Sequence, residues 1–183
     1  MITLRAPSTD SLAAFVAAQA STALTYAEVG ATRGELPAGY TVDRRREPVG
    51  PASAFDKAKT AIDGWQMQRG AGMVVYPIES PREGLVVALV AKVGPSYATS
   101  ACKVIYTVDE SDRYGFGYGT LGDHPVSGEE RFVIERSGEQ LLVELVAFSR
   151  PKSLLFKLGG PIARRKQLAL GAAYIDALRR FVA

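Results

Sequence analysis

The 183-residue sequence predicts an α+β fold: a curved antiparallel sheet of six to seven strands with a long C-terminal helix across its concave face. Three observations predict it. Between Met73 and Ser149 nearly every segment reads as strand, and the breaks between segments are turn chemistry. The segments follow one another through short connections, which makes an antiparallel meander. One long amphipathic helix comes last, with an apolar stripe that needs a sheet face to cover. Helix, meander and closing helix make the helix-grip plan, in which sheet and terminal helix enclose a cavity.

Composition sets the outer bounds. A hydrophobic fraction of 47% and a charged fraction of 22% are globular values, and the length suits one domain, 1–183, with residues 1–23 as an N-terminal helical extension. A net charge of +3 is too weak to imply nucleic acid, and no zinc-ligand spacing or aromatic RNA-binding signature accompanies it. The one cysteine, Cys102, excludes an internal disulfide and suits a reducing compartment. No apolar run approaches a membrane span, and the short apolar stretch from Leu12 makes a poor signal peptide. The expectation is a cytoplasmic protein with no cofactor, no metal and no nucleic-acid partner; no protein partner is named by the sequence.

In order, Ser11–Ala20 is a short helix capped by Ser8, Thr9 or Asp10, and Leu24–Val29 a short candidate strand. Gly30–Gly39 is loop. Tyr40–Pro48 is an edge strand whose alternation splits Arg44, Arg45 and Arg46 between two faces. Pro51 and Ser53 open a helix in which Asp56 stands as a capping-box acid; Phe55, Ala58, Ala61, Ile62 and Trp65 form its apolar face, and Gly70 and Gly72 end it. Strands Met73–Glu79, Leu85–Val93 and Ala101–Asp109 follow. Ser137-Gly138 is a tight hairpin turn between Arg131–Arg136 and Gln140–Ser149. Gly159-Gly160-Pro161 opens the last helix, whose inward stripe is Ala163, Gln167, Leu170, Tyr174, Ala177, Leu178 and Phe181. Arg164, Arg165, Lys166, Arg179 and Arg180 lie mostly off that stripe.

The densest chemistry lies between Tyr114 and Phe132. Tyr114, Phe116, Tyr118 and Thr120 point one way from a strand, and Gly115, Gly117, Gly119 and Leu121 the other. Three glycines on one face give up packing, so something must come close to that backbone: a bend, a packed helix or a ligand. The expectation is a bend beneath the terminal helix. The only histidine, His124, sits in the following turn, beside Asp123 and ahead of Glu129 and Glu130.

Phe116–Leu121 (FGYGTL) followed by His124, then Gly128–Phe132 (GEERF) and Ala147–Pro151 (AFSRP), resembles the domain-of-unknown-function family numbered nineteen-ninety, found in bacteria and plants. Gly30–Arg33 (GATR), the Phe55/Ala58/Ala61/Trp65 helix, and Gly160-Pro161 with Gln167 extend the match over nearly the whole chain. The resemblance implies a START-like, birch-pollen-allergen-like fold and says little about activity. This chain has Asp123 where that family usually has glycine before the histidine.

The candidate ligand-binding residues are Tyr118, His124, Glu130, Phe132, Glu144, Gln167 and Tyr174. If Phe132 and Ile134 face the cavity, alternation puts Glu130 at its rim. Gln167 lies in the helix stripe, and Glu144 interrupts an apolar strand. A few polar groups in an apolar pocket are how small-molecule sites are built. Each also has a bland reading: Glu130 paired with Arg131 or Arg150, Gln167 bonded to backbone, His124 locking its turn, the aromatics as simple core. Three functions follow. The first is binding of a small, largely apolar ligand; the second, a hydrolase- or cyclase-like enzyme with Glu130 or His124 as general base; the third, an interaction module using the basic face of the last helix.

Overall fold

A computed structural model describes residues 1–122, 124–152 and 160–183. Its strands are β1 (Ile2–Thr3), β2 (Thr41–Pro51), β3 (Val74–Tyr76), β4 (Val86–Val93), β5 (Ser96–Asp109), β6 (Arg113–Thr120), β7 (Val126–Ser137) and β8 (Gln140–Pro151). The helices are α1 (Thr9–Gln19), α2 (Phe55–Asp63), α3 (Gln66–Gly70) and α4 (Gly160–Val182). The sheet runs β2-β8-β7-β6-β5-β4-β3, with β1 pairing β5. From β3 to β8 every neighbour in sequence is an antiparallel neighbour in space, as the short turns predict. The fold is the curved open antiparallel sheet with a C-terminal helix on its concave face.

Helices α2, α3 and α4 cover that face over one core of Trp65, Phe116, Tyr118, Phe132, Ile134, Tyr174, Ile175 and Leu178. The ring of Phe132 lies 5.4 Å from Phe116, 5.4 Å from Tyr118 and 5.5 Å from Tyr174, so aromatics fill most of the space between sheet and helix. The opposite, convex face is covered too. Leu12 of α1, with Phe15 and Val16, packs on Ala88 and Val90, and on Val86, Ala101 and Leu121.

Several elements differ from the sequence reading, each for a local reason. The helix expected to run from Pro51 to Gly70 breaks at Trp65, which takes a left-handed φ of 55° so that its ring can enter the core and its indole N–H reach the Glu79 carbonyl at 2.7 Å. Asp56 makes no cap; Ala52–Ala54 form a 3-10 turn instead. Leu24–Val29 is not a strand, yet Thr25 N–H bonds the Thr120 carbonyl at 3.1 Å. In α4, Ile175 and Val182 join the buried stripe. Of the expected entry into that helix, Gly159 lies outside the described residues, as does the side chain of Ala163.

The glycines of β6 are a correction. They face the convex side, away from α4. A Cβ on Gly117 would stand 2.4 Å from the Tyr106 ring, and one on Gly119 2.1 Å from the Tyr26 hydroxyl. What comes close to Gly117 and Gly119 is a pair of tyrosines crossing the outer face, one from β5 and one from the segment before β2, whereas a Cβ on Gly115 would stand 2.0 Å from the Phe132 carbonyl of β7. For Gly117 and Gly119 a bend beneath the helix is not the reason.

Candidate functional site

Direct register partners share one face of a sheet, and one such row crosses four strands. Tyr118 of β6 faces Glu130 of β7, Glu130 faces Ala147 of β8, and Ala147 faces Asp43 of β2. The row is on the helix side. Tyr118 donates its hydroxyl to Glu130 Oε2 at 2.8 Å. No arginine reaches Glu130 among the described residues; Arg131 points to the other face and pairs with Glu144 at 3.2 Å. Burial pushes the Glu130 carboxyl up to about 7, against the lowering effect of the Tyr118 hydrogen bond and with a smaller push from Asp43.

Beside Glu130 is a cavity of about 30 Å³ lined by Asp43, Arg45, Leu145, Ala147, Gln167 and Gly171. That is room for about one water molecule. Small residues make the space: Ala147 on the sheet, and Gly171 inside α4, where a Cβ would stand 3.2 Å from Arg45 Nε. Glycine within a helix costs about 1 kcal/mol relative to alanine, so its place over this cavity opposes local stability. Arg164 closes the rim as a two-point ion pair with Asp43, one contact at 2.6 Å. Gln167 donates to Ser149 Oγ at 3.2 Å, not to backbone. The sequence predicts an apolar cavity between sheet and helix; the one beside Glu130 is far smaller than the few hundred Å³ of a small-molecule site.

The candidates therefore divide. Tyr118, Glu130 and Phe132 share the helix-facing side of the sheet, Tyr174 meets Phe132 from α4, and Gln167 lies over the Glu130 cavity. Glu144 is on the opposite face with Arg131. His124 is outside the cavity: its Nδ1 lies 3.1 Å from the Val126 carbonyl and 3.3 Å from the Val126 N–H, closing its own turn. Burial lowers the His124 imidazole to about 4, so it is neutral at pH 7. Asp123 lies outside the described residues. No group of three or more potential metal ligands occurs among the described residues.

Two things escaped the sequence reading. Asp43 and Arg45, at alternate positions of β2, both face the cavity; a charged alternation on an edge strand was their signal. The other is Glu129. Its buried carboxylate accepts from Tyr26 Oη at 2.9 Å, Gly30 N at 2.7 Å and Thr32 N at 3.0 Å, and also from Thr32 Oγ1. A carboxylate so fully bonded is a clasp, tying Gly30–Arg33 to the outside of β7.

The arginines of α4 do not gather into one free patch. Arg164 holds Asp43, Arg179 holds Glu47 at 2.7 Å, and Arg180 reaches the Gly70 carbonyl. Arg164 and Arg179 are roughly 22 Å apart along the helix. No helix of the described residues is long and apolar enough to cross a membrane.

This architecture is the START-like helix-grip fold, which Ara h 8 shares. A crystal structure of Ara h 8.0201 superposes with a TM-score of 0.57 at 11% identity, covering 79% of this chain and 98% of the other. A truncated norcoclaurine synthase from Thalictrum flavum gives a TM-score of 0.51 at 15% identity over 81% and 97%. The chain belongs to the family described as domain of unknown function DUF1990, which matches residues 25–177. It is 38% identical to a UPF0548 protein of Deinococcus radiodurans, over 99% of this chain and 95% of that one.

Proposed function

We propose that the protein binds a small organic ligand between the sheet and α4, with an apolar body and a hydrogen-bond donor that Glu130 receives. The observation that carries this is the partly buried Glu130 carboxyl, whose one bonded partner among the described residues is the Tyr118 hydroxyl. A carboxylate accepts up to about four hydrogen bonds, so this one keeps spare capacity beside a cavity. Glu129 next door serves the fold with its four bonds; Glu130 has no such duty.

The closed cavity of about 30 Å³ is too small for such a ligand, so binding requires the first half of α4 to move. That half is held by polar links, Arg164 to Asp43 and Arg45 to the Leu168 carbonyl at 2.8 Å. Displacing it opens the sheet toward Leu145, Phe132 and Tyr174. Native mass spectrometry of protein purified without denaturation tests the reading. A small-molecule adduct is expected on the wild type and its loss on Glu130→Gln. Wild-type protein without an adduct, giving no change in amide spectra near Glu130 when titrated with aryl amines, would overturn it.

A second reading uses the same pocket for proton transfer. A carboxyl titrating near 7, hydrogen-bonded to a phenol, is matched to general-base work at neutral pH. Norcoclaurine synthase is an enzyme by name, so the fold is compatible with catalysis. Chemical conversion of a captured ligand by the wild type and not by Glu130→Gln would separate enzyme from carrier.

A further inference from the structure

A second concavity lies on the other side of the sheet, near the β5–β6 turn. It is a groove of about 500 Å³ lined by Arg33, Arg113 and Arg131, with Thr107, Val108, Asp109 and Glu110. Its floor has a specific build. Tyr106, Gly117 and Arg131 are register partners across three strands, and the bare backbone of Gly117 lets the Tyr106 ring lie flat. Arg33 then stacks its guanidinium over that ring, 4.0 Å from the centroid. Tyr106 is itself fixed by its hydroxyl, 2.6 Å from Thr32 Oγ1.

Arg131 is the unusual member. It is 92% buried by complement of its 8% exposure. Two of its nitrogens are occupied, Nη2 by Glu144 at 3.2 Å and Nη1 by the Thr32 carbonyl at 3.3 Å. Its Nε is covered from solvent and has no hydrogen-bond partner among the described residues. A buried N–H without an acceptor costs about 1–3 kcal/mol and is uncommon in folded proteins. Of the acids of the groove, Asp109 is 3.4 Å from Lys59 and Glu110 is 3.4 Å from the groove's own Arg113, whose Nε also lies 3.9 Å from Glu135. Arg33 makes no ion pair among the described residues. Arg33 therefore brings to the groove a guanidinium that no acid there engages.

We propose that this groove is a binding site for a small oxyanion of the phosphate-monoester class, received by Arg33 and Arg113 with the Arg131 guanidinium beneath them. Guanidinium groups suit this ligand because their planar N–H forks match phosphate oxygens in pairs. Arg33 is pre-positioned by its stacking, and Arg131 by its ion pair. The site lies on the face opposite Glu130 and stands or falls independently of the function proposed there.

Isothermal titration with inorganic phosphate at constant ionic strength, with chloride as the control anion, tests it. Saturable binding of phosphate and none of chloride is expected. Arg33→Ala, an exposed change, should weaken binding on the order of tenfold, and Arg113→Ala by a similar factor. Arg131→Lys should weaken it further while retaining the charge; if that variant fails to fold, the variants at Arg33 and Arg113 still decide. A phosphate affinity identical in wild type, Arg33→Ala and Arg113→Ala, or no saturable binding, would sink the proposal. Flotation with phosphatidate-containing vesicles separates the sources of the phosphate. Flotation that Arg33→Ala abolishes assigns a lipid headgroup, and binding of soluble phosphate without flotation assigns a soluble metabolite; either supports the oxyanion site.

Discussion

Adjacent glutamates have opposite fates here because a strand turns successive side chains to opposite faces. Glu129 meets donors from Tyr26, Gly30 and Thr32; Glu130 meets one phenol inside a core. The sign of the resulting pH dependence follows. Glu130 titrates near 7 when folded and near 4.5 ordinarily, so the folded protein holds the proton more tightly and loses stability as pH rises through that window. His124 runs the other way: lowered from 6.5 to about 4, it adds stability as pH rises between those values. Each contributes up to roughly 3 kcal/mol, and the two oppose each other where the windows overlap. Urea unfolding should show Glu130→Gln gaining on the wild type by up to roughly 3 kcal/mol from about pH 5 to about pH 8. A difference independent of pH would mean that Glu130 is not a buried acid.

At the scale of elements, the two halves of α4 are held by different forces. From Tyr174 onward it buries Tyr174, Ile175, Ala177, Leu178 and Val182. From Arg164 to Ala173 no residue is fully buried, and the links to β2 and β8 are polar. Exposed ion pairs contribute about 1 kcal/mol or less, whereas each buried Leu or Ile contributes about 1.5–3 kcal/mol. The first half should therefore open alone. Hydrogen exchange is expected to be faster across residues 164–173 than across 174–182, and Arg164→Ala should speed the first group several-fold while sparing the second. Equal acceleration in both halves would contradict a gate. The apolar stripe of this helix was legible from its spacing, including Tyr174 and Leu178. Its division into halves was not, because periodicity records which residues face inward and not how much apolar surface they find there.

For the whole molecule, the sheet is covered on both faces. The first forty residues provide the outer cover: α1 on Val86, Ala88 and Val90, then Tyr26 and Gly30–Arg33 on β6 and β7. Removing residues 1–21 strips Leu12, Phe15 and Val16 from that face. The truncated protein is expected to lose roughly 3 kcal/mol or more and to bind the dye ANS, which calorimetry and fluorescence would measure. Unchanged stability would show that α1 is dispensable to the fold.

The amino-acid sequence by itself determined the period of each strand, the meander order, the long final helix and the family, because these depend on residues near one another in the chain. It also put Tyr118, Glu130 and Phe132 on one side together. Contacts across long separations decided the rest. Tyr26 meets Glu129 103 residues away, and Arg164 meets Asp43 121 residues away. Such contacts determine what covers each face, and alternation says only that the faces differ. For that reason the tertiary structure alone revealed that Gly117 and Gly119 make room for tyrosines and that aromatics fill the grip. It alone placed Arg131 beneath an open groove.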